Sequence, residues 1–335
     1  MTKRPTIVDV ARLAGVSKAT VARVVNGQDD IVSEQTRQRV ESAVSQLAYE
    51  RNAVAGSLRT DKTYMVALSI PDITNPYWPE VARGVQDTLE AQGYAVMTAN
   101  SDWDAGRELN HLKLVRRNRF DGLIINPSAT AQHATFHGLN VPLVMLGTAD
   151  AYLEYDAVGS DSEAGQQDAL AFLYQLGHRR IGLITGFSMR GRTMSRYNTY
   201  VSFLAGHGLR LDSDLITHQK FTIQGGMDAM AQLLALPAPP TAVFAANDIL
   251  AIGALQTAHA QGWRVPEDIS IVGMDDIYAA AATSPPLTTV RKPKYETGAE
   301  AAKLLLARIN GDQSPVRNLK LPCALVQRGS TAAPR

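Results

Sequence analysis

Internal disulfides are excluded in this chain, because its 335 residues hold one cysteine, Cys323. No His or Asp pattern points to Cys323 as a nucleophile, so it reads as a small buried apolar residue. No apolar run approaches the roughly 18 residues of a membrane span. The N-terminus is polar and charged instead of leader-like, so the expectation is a soluble, cytoplasmic protein. Catalytic signatures are missing as well: there is no Walker loop, nucleophile elbow, metal-spaced His/Cys group or full dinucleotide fingerprint. The seven histidines are scattered, and His178, beside Arg179 and Arg180, reads as a structural loop residue. No metal, cofactor or enzymatic activity is therefore expected.

Charge is scarce and unevenly placed. Charged residues make up 19% of the chain and hydrophobic ones 45%, with a formal net charge of +1. Residues 1–60 hold nine Lys/Arg against six Asp/Glu, a local net of +3, which leaves the rest at −2. A basic head on a mildly acidic body is the distribution expected when one end meets phosphates. The length implies a small head and a larger body of one or two lobes.

In the head, Ile7, Val10, Ala11 and Ala14 fall on one face of a helix. Thr6 can cap it, with Asp9 as the acidic partner three residues on. Gly15 supplies a sharp bend, and Ser17 can cap a second helix with Val21, Val24 and Val25 inside. Asn26-Gly27 ends it. Its outer face, Lys18, Ala19, Ala22, Arg23 and Asn26, is basic or small and suits a major groove. A surface helical hairpin with solvated charges is the alternative. Ser33 begins a third helix whose inner face is Val40, Val44 and Leu47. A polar connector follows, with one possible short helix from Asn52 to Leu58. Gly56 in its interior weakens it, so it should fold only against a partner.

The body alternates apolar strands and helices. Strands are expected at Met65–Ile70, Ala95–Ala99, Gly122–Ile125, Leu143–Leu146, Ile181–Thr185, Ala242–Ala245 and Ile269–Val272. Helices are expected at Pro79–Gln92, Asp104–Arg117, Ser162–Leu176, Arg196–Gly206, Gly226–Leu236 and Ile249–Gly262. Two such series predict two α/β lobes of doubly wound parallel sheets, with ligands outside the carboxyl ends of the strands.

The head string TIVDVARLAGVSKATVARVVNG resembles the LacI/GalR family of bacterial transcription regulators. The body is similar to that family in PDITNPYWPEVARGVQDTLEAQGY, DGLIINPS, VPLVMLG, LGHRRIGLITG, AANDILAIGAL, GWRVPEDISIVGMDD and PPLTTVRKP, in order and nearly throughout. The resemblance implies a three-helix helix-turn-helix head over residues 1–50 and a hinge helix within 51–62. It also implies a periplasmic-binding-protein-like body over 63–335. Lobe 1 would span about 63–161 plus 292–322, and lobe 2 about 162–291 plus 323–335. It implies a homodimer on pseudo-palindromic double-stranded operator DNA, a repressor of sugar uptake or catabolism genes under allosteric control by a sugar or sugar derivative.

Carried over by position, Lys18, Ala19 and Arg23 match base-reading residues, while Thr20 and Asn26 match backbone contacts. Leu58 matches a hinge leucine that wedges into a central base step. With the caps Thr6 and Ser17 and the hinge residue Asn52, these form the candidate DNA-binding set. For the effector, Asp72, Tyr77, Trp78, Asp161, Arg190, Arg196, Phe221, Asn247 and Asp275 follow strands or lie near a lobe crossover. Aromatic faces with carboxylate, amide and guanidinium groups suit a polyol. Aromatics are also often core, and Asn247 could be a cap. Asp276 reads as a residue that satisfies loop backbone. A nucleobase or nucleoside stacked on Tyr77 and Phe221 is the alternative effector. From another class, a solute-binding transport protein would share the body but lack the head.

The chain departs from the family at Ala48, where glycine is usual, at Arg51 for proline, and at Gly56 for arginine or glutamine. Thr199 replaces a usual glycine, and Ala22 a common serine. The tail from Gly329 lacks a leucine heptad, so a dimer is expected instead of a tetramer.

Overall fold

The computed structural model describes residues 5–27, 31–50, 62–127, 136, 138–147, 154–186 and 192–335. The chain divides into two units, Met1–Thr63 and Tyr64–Arg335. The first holds α1 (Ile7–Ala14), α2 (Lys18–Val25) and α3 (Glu34–Gln46). The Asp9 carboxylate accepts from the Thr6 backbone N–H at 2.9 Å and from its hydroxyl at 2.6 Å. Ser17 Oγ accepts from the Thr20 N–H at 3.1 Å, and Ser33 Oγ from the Thr36 N–H at 3.4 Å. These bonds satisfy amides that the first turn leaves without partners. Gly15, at φ +64°, makes the bend between α1 and α2, a conformation that costs glycine little. Val10, Ala11, Ala14, Val21, Val40 and Ala43 form the core of the unit, with Ile7, Val24, Val25, Val44 and Leu47 packed around it. The connector positions Arg51, Asn52, Gly56 and Leu58 lie outside the described residues.

The second unit contains, in order, β1 (Met65–Ile70), α4 (Tyr77–Glu90), β2 (Ala95–Asn100), α5 (Ala105–Arg117), β3 (Gly122–Ile125), β4 (Leu143–Leu146) and β5 (Asp156–Ser160). Then come α6 (Ser162–Gln175), β6 (Ile181–Gly186), α7 (Arg192–Gly206), β7 (Ile216–Gln219), α8 (Ile223–Leu234), β8 (Ala242–Ala245), α9 (Asp248–Ala260), β9 (Ser270–Asp275), α10 (Tyr278–Ala282) and β10 (Thr288–Arg291). The chain ends with α11 (Lys294–Ile309), β11 (Asn318–Leu321) and β12 (Ala324–Val326). Two six-stranded sheets result, ordered β11-β5-β4-β3-β1-β2 and β12-β10-β9-β8-β6-β7. All neighbours are parallel except β10 and β12. Strands β3, β4, β6, β8 and β9 are buried along their whole length, as parallel sheets covered on both faces require.

The lobes are joined where the chain leaves β5 through Asp161, returns through Lys292 and Pro293, and crosses again between β11 and β12. Two of these passages are tied together, since the Asp161 N–H donates to Leu321 O at 2.7 Å. Cys323 sits on the third, partly buried against Gly165, and burial pushes its thiol pKa up. That environment is structural, as the sequence suggested.

Each lobe has one helix pair packed backbone to backbone at glycines. A Cβ on Gly84 or Gly298 would lie 2.0 Å from a carbonyl oxygen of the facing helix, Tyr295 or Val81. On Gly226 or Gly253 it would lie 2.1 Å from Leu250 or Ile223. The same device in both lobes supports the internal duplication visible in the strand pattern.

Candidate functional site

On α2, Lys18, Ala19 and Arg23 are exposed, while Thr20, Ala22 and Asn26 are half-buried. Lys18 and Arg23 pair with no described residue, so both cations are available to an outside anion or base edge. Arg12 and Arg37 instead have acidic neighbours, Asp9 at 3.6 Å and Glu34 at 2.6 Å. The Thr6 and Ser17 side chains, both exposed, hold the helix starts. Thr20 shares a 2.9 Å hydrogen bond with Ser17. A short helix, capped at its start and presenting two uncompensated cations beside an alanine, has the chemistry of a major-groove reader.

In the body, the candidate effector residues gather at the carboxyl ends of the strands and at the lobe passages. Asp275 ends β9 at φ +119°, and its carboxylate lies 3.3 Å from the ammonium of Lys292. Lys292 Nζ is in turn 4.2 Å from the Tyr77 ring centroid, so one lysine joins a lobe 2 carboxylate to a lobe 1 aromatic. Arg196 stands over the Phe221 ring at 5.9 Å, and its backbone oxygen accepts from Gln166 Nε2 at 2.9 Å.

Other candidates have structural duties. Tyr77 and Trp78 are buried in the lobe 1 core, edge to face with centroids 4.9 Å apart. Asp72 closes its own turn by accepting from the Thr74 N–H and hydroxyl at 2.9 and 2.6 Å. Asp161 caps α6 through the Ala164 N–H at 3.2 Å, and Asn247 caps α9 through the Leu250 N–H at 2.9 Å. The Asn247 oxygen is thus committed and its amide nitrogen remains for a ligand. Asp276 pairs with Arg291 at 2.7 Å and Arg328 at 2.6 Å, so arginines, and not the loop backbone as expected, satisfy it. Arg190 lies outside the described residues.

Three contributors were not singled out from the sequence. Lys292 and Lys294 flank Pro293 at the lobe passage, and Lys294 Nζ donates to the backbone oxygens of Asp275 at 3.0 Å and Asp276 at 2.8 Å. The readable signal was two lysines directly after an apolar strand, at a passage between lobes. Asp248, wholly buried, accepts from the Ile277 N–H at 2.9 Å and from the Thr289 hydroxyl. Burial, and then the nearby Asp275 charge, push its pKa up to about 7. Buried polar atoms without partners among the described residues include Asn126 Oδ1 and Thr185 Oγ1. Asn126 follows β3 and Thr185 lies in the last turn of the β6 strand, where open parallel sheets bind ligands. A cavity of about 430 Å³ lined by Thr241, Trp263, Glu267 and Asp268 lies at the opposite, amino ends of β8 and β9.

Comparison with known proteins agrees with both halves. Residues 6–52 match the family described as bacterial regulatory proteins, lacI family, and residues 170–331 match a periplasmic binding protein-like domain. The repressor CytR of Escherichia coli K12 is 36% identical over 98% of this chain and 96% of its own. The chain belongs to the lacI family. The ribose operon repressor of Escherichia coli K12 is 35% identical over 97% of this chain and 99% of its own. Among solved structures, the lac repressor dimer bound to operator and an anti-inducer superposes with a TM-score of 0.88 at 27% identity, covering 99% of this chain and 100% of that one. A CelR–cellobiose complex does so at 0.74 and 31% identity, covering 98% and 100%. As a lacI-family member the chain is a DNA-binding transcriptional repressor and not an enzyme. No described helix is long and apolar enough to cross a membrane.

Proposed function

We propose that this lacI-family protein is a cytoplasmic homodimer that binds a pseudo-palindromic operator and is released or retained by a small neutral sugar or sugar derivative. In this reading residues 1–50 are the head, 51–62 the hinge and 63–335 the effector-binding and dimerisation body. Lys18, Ala19 and Arg23 read bases, and Thr6, Ser17, Thr20 and Asn26 set the helix on the backbone. Asn52 and Leu58 act from the hinge in the minor groove. Asp72, Tyr77, Trp78, Asp161, Arg190, Arg196, Phe221, Asn247 and Asp275 form or support the effector cleft.

One observation carries the DNA side of this reading: Lys18 and Arg23 are both exposed and unpaired on the second helix of a capped three-helix head. Support for a sugar comes from the cellobiose held by the similar CelR structure and from the Lys292–Asp275 arrangement at the lobe passage. Stacking a base on Tyr77 is disfavoured, because Lys292 already covers that ring.

The test is selection of operator sequences by the full chain, followed by binding at one fixed salt concentration. Arg23→Ala should flatten discrimination at one half-site position by about 1–3 kcal/mol. Lys18→Ala and Arg23→Ala proteins that bind and discriminate like the wild type would overturn the interface.

A further inference from the structure

Lys292 and Asp275 are opposite charges sealed in the body, each with its side chain 7% exposed. Their separation of 3.3 Å is an ion-pair distance, yet neither side chain makes a hydrogen bond to any described residue. An ammonium has three N–H donors and a carboxylate accepts at two oxygens, so most of the bonding capacity of this pair is unfilled. Buried polar groups are normally satisfied, and exceptions at a strand's carboxyl end call for a ligand. Asn126 and Thr185, unsatisfied at the ends of β3 and β6, lie at the same ends of the two sheets.

The chemistry of the missing partner follows from the charges. The pair is already neutral as a whole. A phosphate or carboxylate placed on Lys292 would also stand beside the Asp275 carboxylate, and an amine placed on Asp275 would stand beside the ammonium. A hydroxyl meets both without that conflict, since its hydrogen can go to the carboxylate while its oxygen accepts from the ammonium. The Tyr77 face belongs to Lys292, which leaves no aromatic platform there for a base.

We propose that Lys292 is an effector-contacting residue, and that the Lys292–Asp275 pair selects a neutral ligand bearing a hydroxyl that bridges the two. This deepens the assignment of the cleft to a sugar and rests on it. The class is a cyclic polyol, in preference to a sugar phosphate, a sugar acid, an amino sugar or a nucleoside. Because Lys292 also covers Tyr77 at the start of α4, a hydroxyl drawn to it bears on the contact between the lobes.

The experiment is isothermal titration of the full chain with D-ribose, D-glucose, D-galactose and cellobiose, and with ribose 5-phosphate, gluconate, glucosamine and cytidine. The tightest probe is then titrated into Lys292→Met, Lys292→Gln and Asp275→Asn proteins, whose folding is checked by circular dichroism and melting temperature. A neutral sugar should bind most tightly. Lys292→Met should weaken it at least tenfold, and Lys292→Gln, which can still donate to a hydroxyl, should weaken it by less. If a neutral sugar binds and Asp275→Asn weakens it while a folded Lys292→Met does not, the role of Lys292 is overturned and the cleft assignment stands. If neither substitution matters, the sugar binds elsewhere and the cleft assignment itself fails. A charged probe or cytidine binding tenfold more tightly than every neutral sugar, or no sugar binding at all, overturns the ligand class.

Discussion

Arg308 grips Asp156 with both ends of its guanidinium, Nε to one oxygen at 2.7 Å and Nη2 to the other at 3.0 Å. The Asp156 side chain is 1% exposed, and one of its oxygens also accepts from the Arg317 N–H at 2.8 Å. The pair fastens α11 to the start of β5. Burial works against the charged carboxylate, but the Arg308 and Arg317 hydrogen bonds prevail and hold its pKa below the ordinary value.

Arg308→Ala should therefore cost about 3–5 kcal/mol, because it strands a buried carboxylate. Urea unfolding at pH 7 measures it. A folded pKa below the unfolded one means stability that is present above the unfolded value and lost as pH falls through the folded one. The wild type should accordingly lose more stability than Arg308→Ala on acidification below about pH 4. Equal losses would show that Asp156 is not the group responsible.

The glycine contacts between helices predict a contrast within one residue type. Gly298→Ala and Gly253→Ala would put Cβ at 2.0 and 2.1 Å from the facing backbone oxygen, so each should destabilise by about 1–3 kcal/mol or more through overpacking. Gly206→Ala, with nothing within 4 Å of its Cβ, should be close to neutral. Thermal unfolding of the three proteins decides it, and equal melting temperatures would refute the contact.

Ala48 follows α3 at φ +46°, a left-handed conformation that burdens any residue with a Cβ. Ala48→Gly should relieve this strain, less the extra entropy a glycine loses on folding, for a net gain of up to about 1 kcal/mol. Slower hydrogen exchange in the last turn of α3 would register the gain. Unchanged or faster exchange would contradict it.

His178 is buried in the second unit, sharing hydrogen bonds with Thr241 at 2.9 Å, Ser270 at 3.1 Å and the Ala332 oxygen at 2.9 Å. Burial lowers its pKa below the ordinary 6.5. The unfolded chain then takes up the proton first, so the contribution is complete above about pH 6.5 and is lost as pH falls toward the folded pKa. His178→Gln should flatten the decline of melting temperature between pH 7 and 5. An identical slope in both proteins would assign the decline to other groups, such as His111, whose pKa burial also lowers.

Legibility in the sequence tracked how local each feature is. The caps at Ser17 and Ser33, the bend at Gly15 and the apolar runs of β1, β3, β4, β6 and β8 were all readable, because each depends on residues within a few positions. Strands β5 and β7 were not, since DAVGS and ITHQ carry polar residues satisfied from far along the chain, Asp156 by Arg308 and His218 by Gly186 O at 3.0 Å. Helices α4 and α8 begin two and three residues earlier than expected, at Tyr77 and Ile223. Tyr77 enters the lobe core there, and Thr222 caps α8 through the Gly225 N–H.

By itself, then, the sequence determined a basic helical head, a polar connector and a body of alternating buried strands and helices, because local periodicity and composition are written along the chain. Only the tertiary structure decided the chemistry of the cleft. It committed the Asn247 oxygen to a cap and Asp276 to two arginines, and it brought Lys292 against both Asp275 and Tyr77. Those meetings depend on three chain passages between two sheets, and residues far apart in sequence become neighbours only once both sheets have formed.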